Sequence, residues 1–304
     1  MQEISIIDRR TNQIQKESIF GGKYLAAFYG GGWCSWLWRS ILVSTLPLFS
    51  KIYACIQKRP SSVKRIAPFI EKYRVDATEF LDRDFRSFND FFIRRLKPEC
   101  RPIYADPHCA VLPADGRYLV YPDLSQCPYL VVKGKGFSLG HLLQSRALAR
   151  RYEDGSALIA RLCPADYHRF HFPCDGVAES AQYIEGTLYS VNPIALRRRP
   201  SIFSENRRML SEIESEKFGT LLYIEVGATC VGSIHQTYLP GATVKKGAEK
   251  GYFSFGGSSL VVLFEKRRIQ FDEDLITNSA QGIETYARMG ESLGHEWGFH
   301  AAQT

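Results

Sequence analysis

The 304-residue chain has eight cysteines but no Cys-x-x-Cys pair, which excludes the commonest local zinc and redox patterns. Thiols scattered through a chain of this length imply a reduced, cytosolic setting rather than a disulfide framework. There is no internal repeat and no low-complexity tract, so solenoid and disordered-tail architectures are excluded. Met1 to Arg10 mixes acidic and basic side chains without an apolar run, so no secretory leader is expected there. No uncharged stretch reaches the ~18–20 residues of a membrane-spanning helix, because Arg39, Pro47 and Lys51 interrupt the apolar sequence. Ser258, which follows a glycine pair and opens an apolar run, does not lie in the Gly-x-Ser-x-Gly elbow of many hydrolases. Between residues 18 and 70 there is no acidic side chain at all.

That last absence locates the charge. Residues 1–100 hold 17 Lys and Arg against 10 Asp and Glu, whereas residues 101–304 hold 22 against 22. A basic segment suits nucleic acid or an anionic membrane surface, and its apolar content decides between them. Tyr24 to Tyr29, the Gly30-Gly31-Gly32 break, Trp33, Trp36, Trp38 and Ile41 to Phe49 are aromatic-rich and uncharged apart from Arg39. Lys51, Lys58, Arg59, Lys64 and Arg65 follow them. Basic residues that alternate with bulky apolar ones argue against nucleic acid. The pattern predicts short helices lying in a membrane interface, a peripheral, monotopic contact on the cytoplasmic face. A helical hairpin packed on the protein's own core is the alternative.

Residues 66–97 read as helical until Pro98 and Pro102 stop them, which sets a boundary between a membrane-association region, 1–100, and a catalytic region, 101–304. Beyond it strands are expected at 117–121, 129–132, 157–162, 221–226 and 260–264, with helices near 139–152, 203–217 and 273–290. Strands dominate without a β-α alternation. The expected fold class is therefore α+β, a mainly antiparallel core with flanking helices, preceded by an N-terminal helical segment that associates with membrane.

The stretch Gly251-Tyr252-Phe253-Ser254-Phe255-Gly256-Gly257-Ser258-Ser259 opens onto Leu260-Val261-Val262-Leu263-Phe264. Two glycines permit a tight bend, and the Ser258 hydroxyl then lies beside the Gly257 carbonyl, as attack on the preceding peptide bond requires. A plain turn or bulge is the competing reading. Pro113-Ala114-Asp115-Gly116 puts a carboxylate in a turn before a strand. Asp166-Tyr167-His168-Arg169-Phe170-His171 carries two imidazoles three residues apart, and Arg169 between them reads as a surface charge. Such a pair often binds zinc, but no Cys or Glu is spaced to complete a site, so no metal is expected. Asp115, His171 and Ser258 supply carboxylate, base and nucleophile for an activated hydroxyl.

These motifs, with Ser87-Phe88-Asn89-Asp90-Phe91-Phe92, Val226-Gly227-Ala228, Val231-Gly232-Ser233-Ile234 and Lys246-Gly247-x-Glu249-x-Gly251, run in one order from about residue 85 to 264. In that combination the chain resembles the phosphatidylserine decarboxylase family. Gly256-Gly257-Ser258-Ser259 stands where that family commonly has Leu-Gly-Ser-Thr, keeping the hydroxyl at 259 and losing a methyl. The resemblance implies a proenzyme that cuts itself after Gly257 into chains 1–257 and 258–304, with Asp115 and His171 as the charge relay. It implies a covalent pyruvoyl group made from Ser258, the Schiff-base position, and decarboxylation of phosphatidylserine to phosphatidylethanolamine. His168 becomes the proton donor or a substrate-binding group. Implied partners are membrane phosphatidylserine, the two cleaved chains and a second copy in a homodimer. Two other readings stay open: a serine hydrolase using Asp115, His171 and Ser258 without cutting itself, and a membrane-binding protein with no catalysis.

Overall fold

The computed structural model describes residues 5–16, 52, 54–126, 130–132, 135–191, 196, 201–228, 233–255 and 258–299. The segment Phe20 to Phe49, with Trp33, Trp36 and Trp38, lies outside them, as do Gly256 and Gly257. The described fold is α+β and mostly antiparallel, as the strand pattern predicts.

One eleven-stranded sheet organises the chain. At its centre Ser258–Phe264 pairs antiparallel with Gly219–Gly227 on one side and Ser156–Leu162 on the other. Gly116–Tyr121 follows Ser156–Leu162, and Glu284–Ala287 follows Gly116–Tyr121. The residues Ser-Ser-Leu-Val-Val-Leu-Phe are all buried, because both faces of this strand are covered. Side chains alternate across a strand. Leu260, Val262 and Phe264 therefore enter one core with Leu158, Phe170, Tyr223 and Phe253, while Val261 and Leu263 enter another with Ile159, Leu222 and Ile224. The same alternation puts Ser258 on the Leu260 side.

Two three-stranded sheets and one two-stranded sheet accompany the main sheet among the described residues, and one of the three-stranded sheets joins Ile234–Gln236, Glu249–Phe253 and Arg169–His171. Gly251 is required there: a Cβ would sit 2.1 Å from the His235 carbonyl oxygen and 2.7 Å from the Phe170 ring. A third core consists of Ile66, Phe69, Phe80, Phe88, Phe91, Phe92 and Phe255. It seats the short helix Phe88–Phe92, whose first turn is capped reciprocally. Ser87 accepts the Asp90 N–H, and Asp90 accepts the Arg86 N–H.

Several local expectations are corrected. The helix expected over 203–217 is one turn, Ile202–Glu205, followed by the strand Arg208–Ser215. That strand pairs along its whole length with Gly219–Gly227, and pairing overrides the helix preference of Met209, Leu210 and Glu212. The helix expected over 273–290 ends after Ala280, Gly282 turns the chain at φ +70°, and Glu284–Ala287 returns as a strand. Residues 66–97 form Ile66–Tyr73 and Phe88–Phe92 rather than one helix, with Arg74 left-handed at the first break. At the N-terminus Ser5–Asp8 and Gln13–Lys16 form a β-hairpin instead of helix, and Ser5–Asp8 joins the main sheet parallel to Glu284–Ala287. Among the described residues no helix is long and apolar enough to cross a membrane.

Candidate active site

Ser258 begins the central strand, in register with Gly227 and Leu162, and is wholly buried. Its Oγ has no hydrogen-bond partner among the described residues. A buried hydroxyl left unpaired costs about 1–3 kcal/mol, so this group is not there for stability.

His171 closes the strand Arg169–His171 and pairs with Glu249. Its Nδ1 lies 2.9 Å from the Gly247 carbonyl oxygen. A carbonyl can only accept, so the proton sits on Nδ1 and Nε2 presents a lone pair. Nε2 is buried and has no hydrogen-bond partner among the described residues. Burial lowers the pKa of this imidazole, against the Gly247 hydrogen bond and the nearby Glu249 and Asp115 carboxylates. The ring is therefore a neutral base. Gly247 holds φ +77°, and a Cβ there would meet the Ile103 side chain at 2.6 Å, so this carbonyl is aimed by a conformation reserved for glycine.

Asp115 is placed close to the base but does not hydrogen-bond to it. Its carboxylate accepts the Arg101 guanidinium Nε–H at 2.9 Å and the Met289 N–H at 2.9 Å. Arg101 continues to Glu79, and Glu79 to Arg288, in a chain of alternating charges. The sequence reading makes Asp115 and His171 a charge relay; here the Gly247 carbonyl accepts from the ring, and the Asp115 charge acts on the imidazole without a hydrogen bond.

His168 is wholly buried, with its ring 3.9 Å from that of Phe92 and its Nδ1 3.0 Å from the Asp166 carbonyl oxygen. Its own carbonyl accepts the Phe253 N–H. Phe92 also touches Phe255, at 4.9 Å between centroids, and Asn89 Oδ1 accepts the Phe255 N–H. One helix therefore grips both the His168 ring and the segment leading to Ser258. Arg169 is no surface charge. It pairs with Glu249 at 2.8 Å and donates to the Ile93 carbonyl, bracing the strand that starts next to His168 and ends at His171.

Sequence reasoning missed Gly247 as the orienting group, Arg101 as the partner of Asp115, and Asn89 as an anchor. For Gly247 and Asn89 the signal was only membership of a motif. Arg101 stands in a polar, proline-flanked stretch that gives no sign of burial.

Residues 88–295 match the family model described as phosphatidylserine decarboxylase, and the chain belongs to that family. It is 48% identical over 299 residues to the phosphatidylserine decarboxylase proenzyme of Chlamydia muridarum, covering 96% of this chain and 97% of that one. It is 45% identical to the proenzyme of Chlamydia pneumoniae, with 97% and 98% covered, and 44% identical to that of Chlamydia felis, with 98% and 100% covered.

Proposed function

We propose that the chain is a proenzyme that cuts itself between Gly257 and Ser258 and then decarboxylates phosphatidylserine to phosphatidylethanolamine and carbon dioxide. One observation carries the reading. The Ser258 hydroxyl and the His171 Nε2 are both buried and without a hydrogen-bond partner among the described residues, in a family whose named relatives are proenzymes.

His171 Nε2 takes the Ser258 proton, and Oγ attacks the Gly257 carbonyl carbon. The peptide C–N bond breaks, the proton passes to the nitrogen of residue 258, and an ester joins the two residues. The Asp115 carboxylate stabilises the imidazolium as it forms. Loss of the residue 258 α-proton expels the Gly257 carboxylate and leaves dehydroalanine. Water then replaces nitrogen, which departs as ammonia, and a pyruvoyl group heads the chain 258–304.

A pyruvoyl group fits position 258. The side chain has no hydrogen bond to lose among the described residues, and the strand it heads is held on both sides. Such a group supplies the electron sink that decarboxylation needs. His168 Nε2 is assigned to return the proton to the substrate carbon, with binding of the substrate carboxylate or phosphate as its other role. The region 18–70 is assigned to contact with the cytoplasmic face of the membrane, because a diacyl lipid loses ~0.8 kcal/mol per methylene drawn into water.

Intact mass spectrometry of wild type beside Ser258→Ala tests the reading. The expected result is two wild-type chains, the smaller beginning at residue 258 with a pyruvoyl terminus, and one intact mutant chain. A single unmodified wild-type chain of 34.6 kDa would overturn it and favour the hydrolase reading.

A further inference from the structure

We infer that Arg94 is a positioning residue that fixes the tautomer and ring orientation of His168. The inference rests on the reading above, in which His168 moves the proton. Arg94 follows the helix Phe88–Phe92 and is buried, its guanidinium 5.2 Å from the Phe80 ring centroid and 4.9 Å from that of Phe91. Burial lowers its pKa to about 10, so it stays charged at neutral pH.

Among the described residues no carboxylate hydrogen-bonds this cation. It donates instead to backbone carbonyls: Ala165 at 2.9 Å, Asp166 at 3.2 Å and Phe91 at 3.5 Å. The Asp115 and Asp166 charges act on it only at a distance, which offsets part of the cost of burial, so its placement calls for a further reason. The Asp166 carbonyl supplies one. That oxygen also lies 3.0 Å from His168 Nδ1, so the guanidinium and the imidazole meet on a single acceptor.

A carbonyl oxygen has two lone pairs and no proton. With Arg94 on one lone pair and the Ala165 carbonyl held beside it, the other lone pair points at Nδ1 and keeps the proton there. His168 Nε2 is then the atom turned toward chemistry. Phe92 holds the ring face from the same stretch of chain, while Arg94 holds the carbonyl that keeps the proton on Nδ1. The loop is tied down further by the Asp166 carboxylate, which accepts from Arg117 and from the Cys163 N–H at 2.6 Å.

The test uses the full chain in two forms. In Ser258→Ala, which makes no pyruvoyl, nitrogen-15 NMR of labelled histidine reads the His168 tautomer directly. The parent is expected to show the Nδ1-protonated ring, Arg94→Met a mixture, and Arg94→Lys an intermediate state. In the self-cleaving chain, Arg94→Met is expected to mature fully yet lose roughly 10- to 100-fold in kcat, with KM within about twofold. An unchanged tautomer in Arg94→Met, or equal losses of self-cleavage and kcat, would overturn the inference and leave Arg94 as a brace. If Arg94→Met does not accumulate, Arg94→Lys carries the same test, because a compact ammonium on a flexible stem lacks the planar guanidinium that sets Nη2 between the Ala165 and Asp166 carbonyls. Retained decarboxylation in His168→Asn would instead remove the assigned role of His168, while the tautomer measurement still decides what Arg94 does to it.

Discussion

Asn89 and Phe255 are joined across more than half the chain: Asn89 Oδ1 accepts the Phe255 backbone N–H at 3.1 Å. Phe255 is two residues before Gly257, so a side chain on a short helix sets the approach to the bond assigned to cleavage. Asn89→Ala is expected to slow self-cleavage about tenfold, equivalent to roughly 1.4 kcal/mol, while the helix stays capped by Ser87. A time course of precursor conversion checks this. Unchanged kinetics would show that the Phe88, Phe92 and Phe255 contacts suffice.

The pH dependence of self-cleavage follows from the direction of the His171 shift. Burial holds its pKa below the ordinary 6.5, and the neutral ring is the active base. Cleavage is expected to keep more than half its full rate at pH 6.5 and to reach half only as pH drops through the lower folded value. The unfolded ring takes up its proton first, so stability also declines as pH falls below 6.5 toward that value. Conversion rates between pH 5 and 8 decide the matter, and a rate already halved at pH 6.5 would contradict the assignment.

A fully buried ion pair lies on the same sheet face as Ser258. Lys250 Nζ meets Glu225 Oε1 at 2.5 Å, and Glu225 is in register with Leu260, two residues beyond the serine. Lys250 is also bonded to Gln236 and boxed by Tyr223 and Tyr238. Burial pushes Glu225 up and Lys250 down, each opposed by its partner. Lys250→Met, made in Ser258→Ala so that one chain unfolds, is expected to cost about 3–5 kcal/mol by stranding the Glu225 charge. Adding Glu225→Leu should restore most of that loss in thermal unfolding, and failure to do so would mean that the pair is held by shape rather than charge.

Replacing Trp33, Trp36 and Trp38 with Ala addresses the membrane assignment. The triple variant is expected to partition less onto anionic vesicles while still cleaving itself, with vesicle co-sedimentation and gel analysis as the two readouts. Loss of cleavage with unchanged partition would place the segment within the catalytic core.

The centre of the fold was legible because Leu260 to Phe264 is an unbroken apolar run, the mark of a strand covered on both faces. Ser258, His168, His171 and Asp115 were legible as residue types in tight motifs. What those residues bond to was not. The group orienting His171 is a peptide carbonyl, and every residue has one, so no letter in the sequence marks it. Arg94 stands beside Arg95, and Arg101 follows Glu99 and Cys100; neither position signals burial in the sequence, yet both side chains are buried. Strands of four residues, such as Ser5–Asp8, are too short for periodicity to reveal. Arg208–Ser215 carries helix-favouring letters that only its partner strand overrules.

The proposed cut falls at the edge of the central strand, and that has a thermodynamic consequence. Residues 258–264 are bonded to 219–227 and 156–162, and residues 284–287 lie between 116–121 and 5–8, so the small chain is woven through the large one. Before the cut, unfolding and refolding are first order, because one covalent chain carries every strand. After it, an unfolded enzyme is two solutes, and refolding depends on their meeting at whatever concentration prevails. A mature molecule that opens fully has lost the tether that brought Ser258 into place. Its working lifetime is then set by how slowly it opens rather than by how readily it closes again.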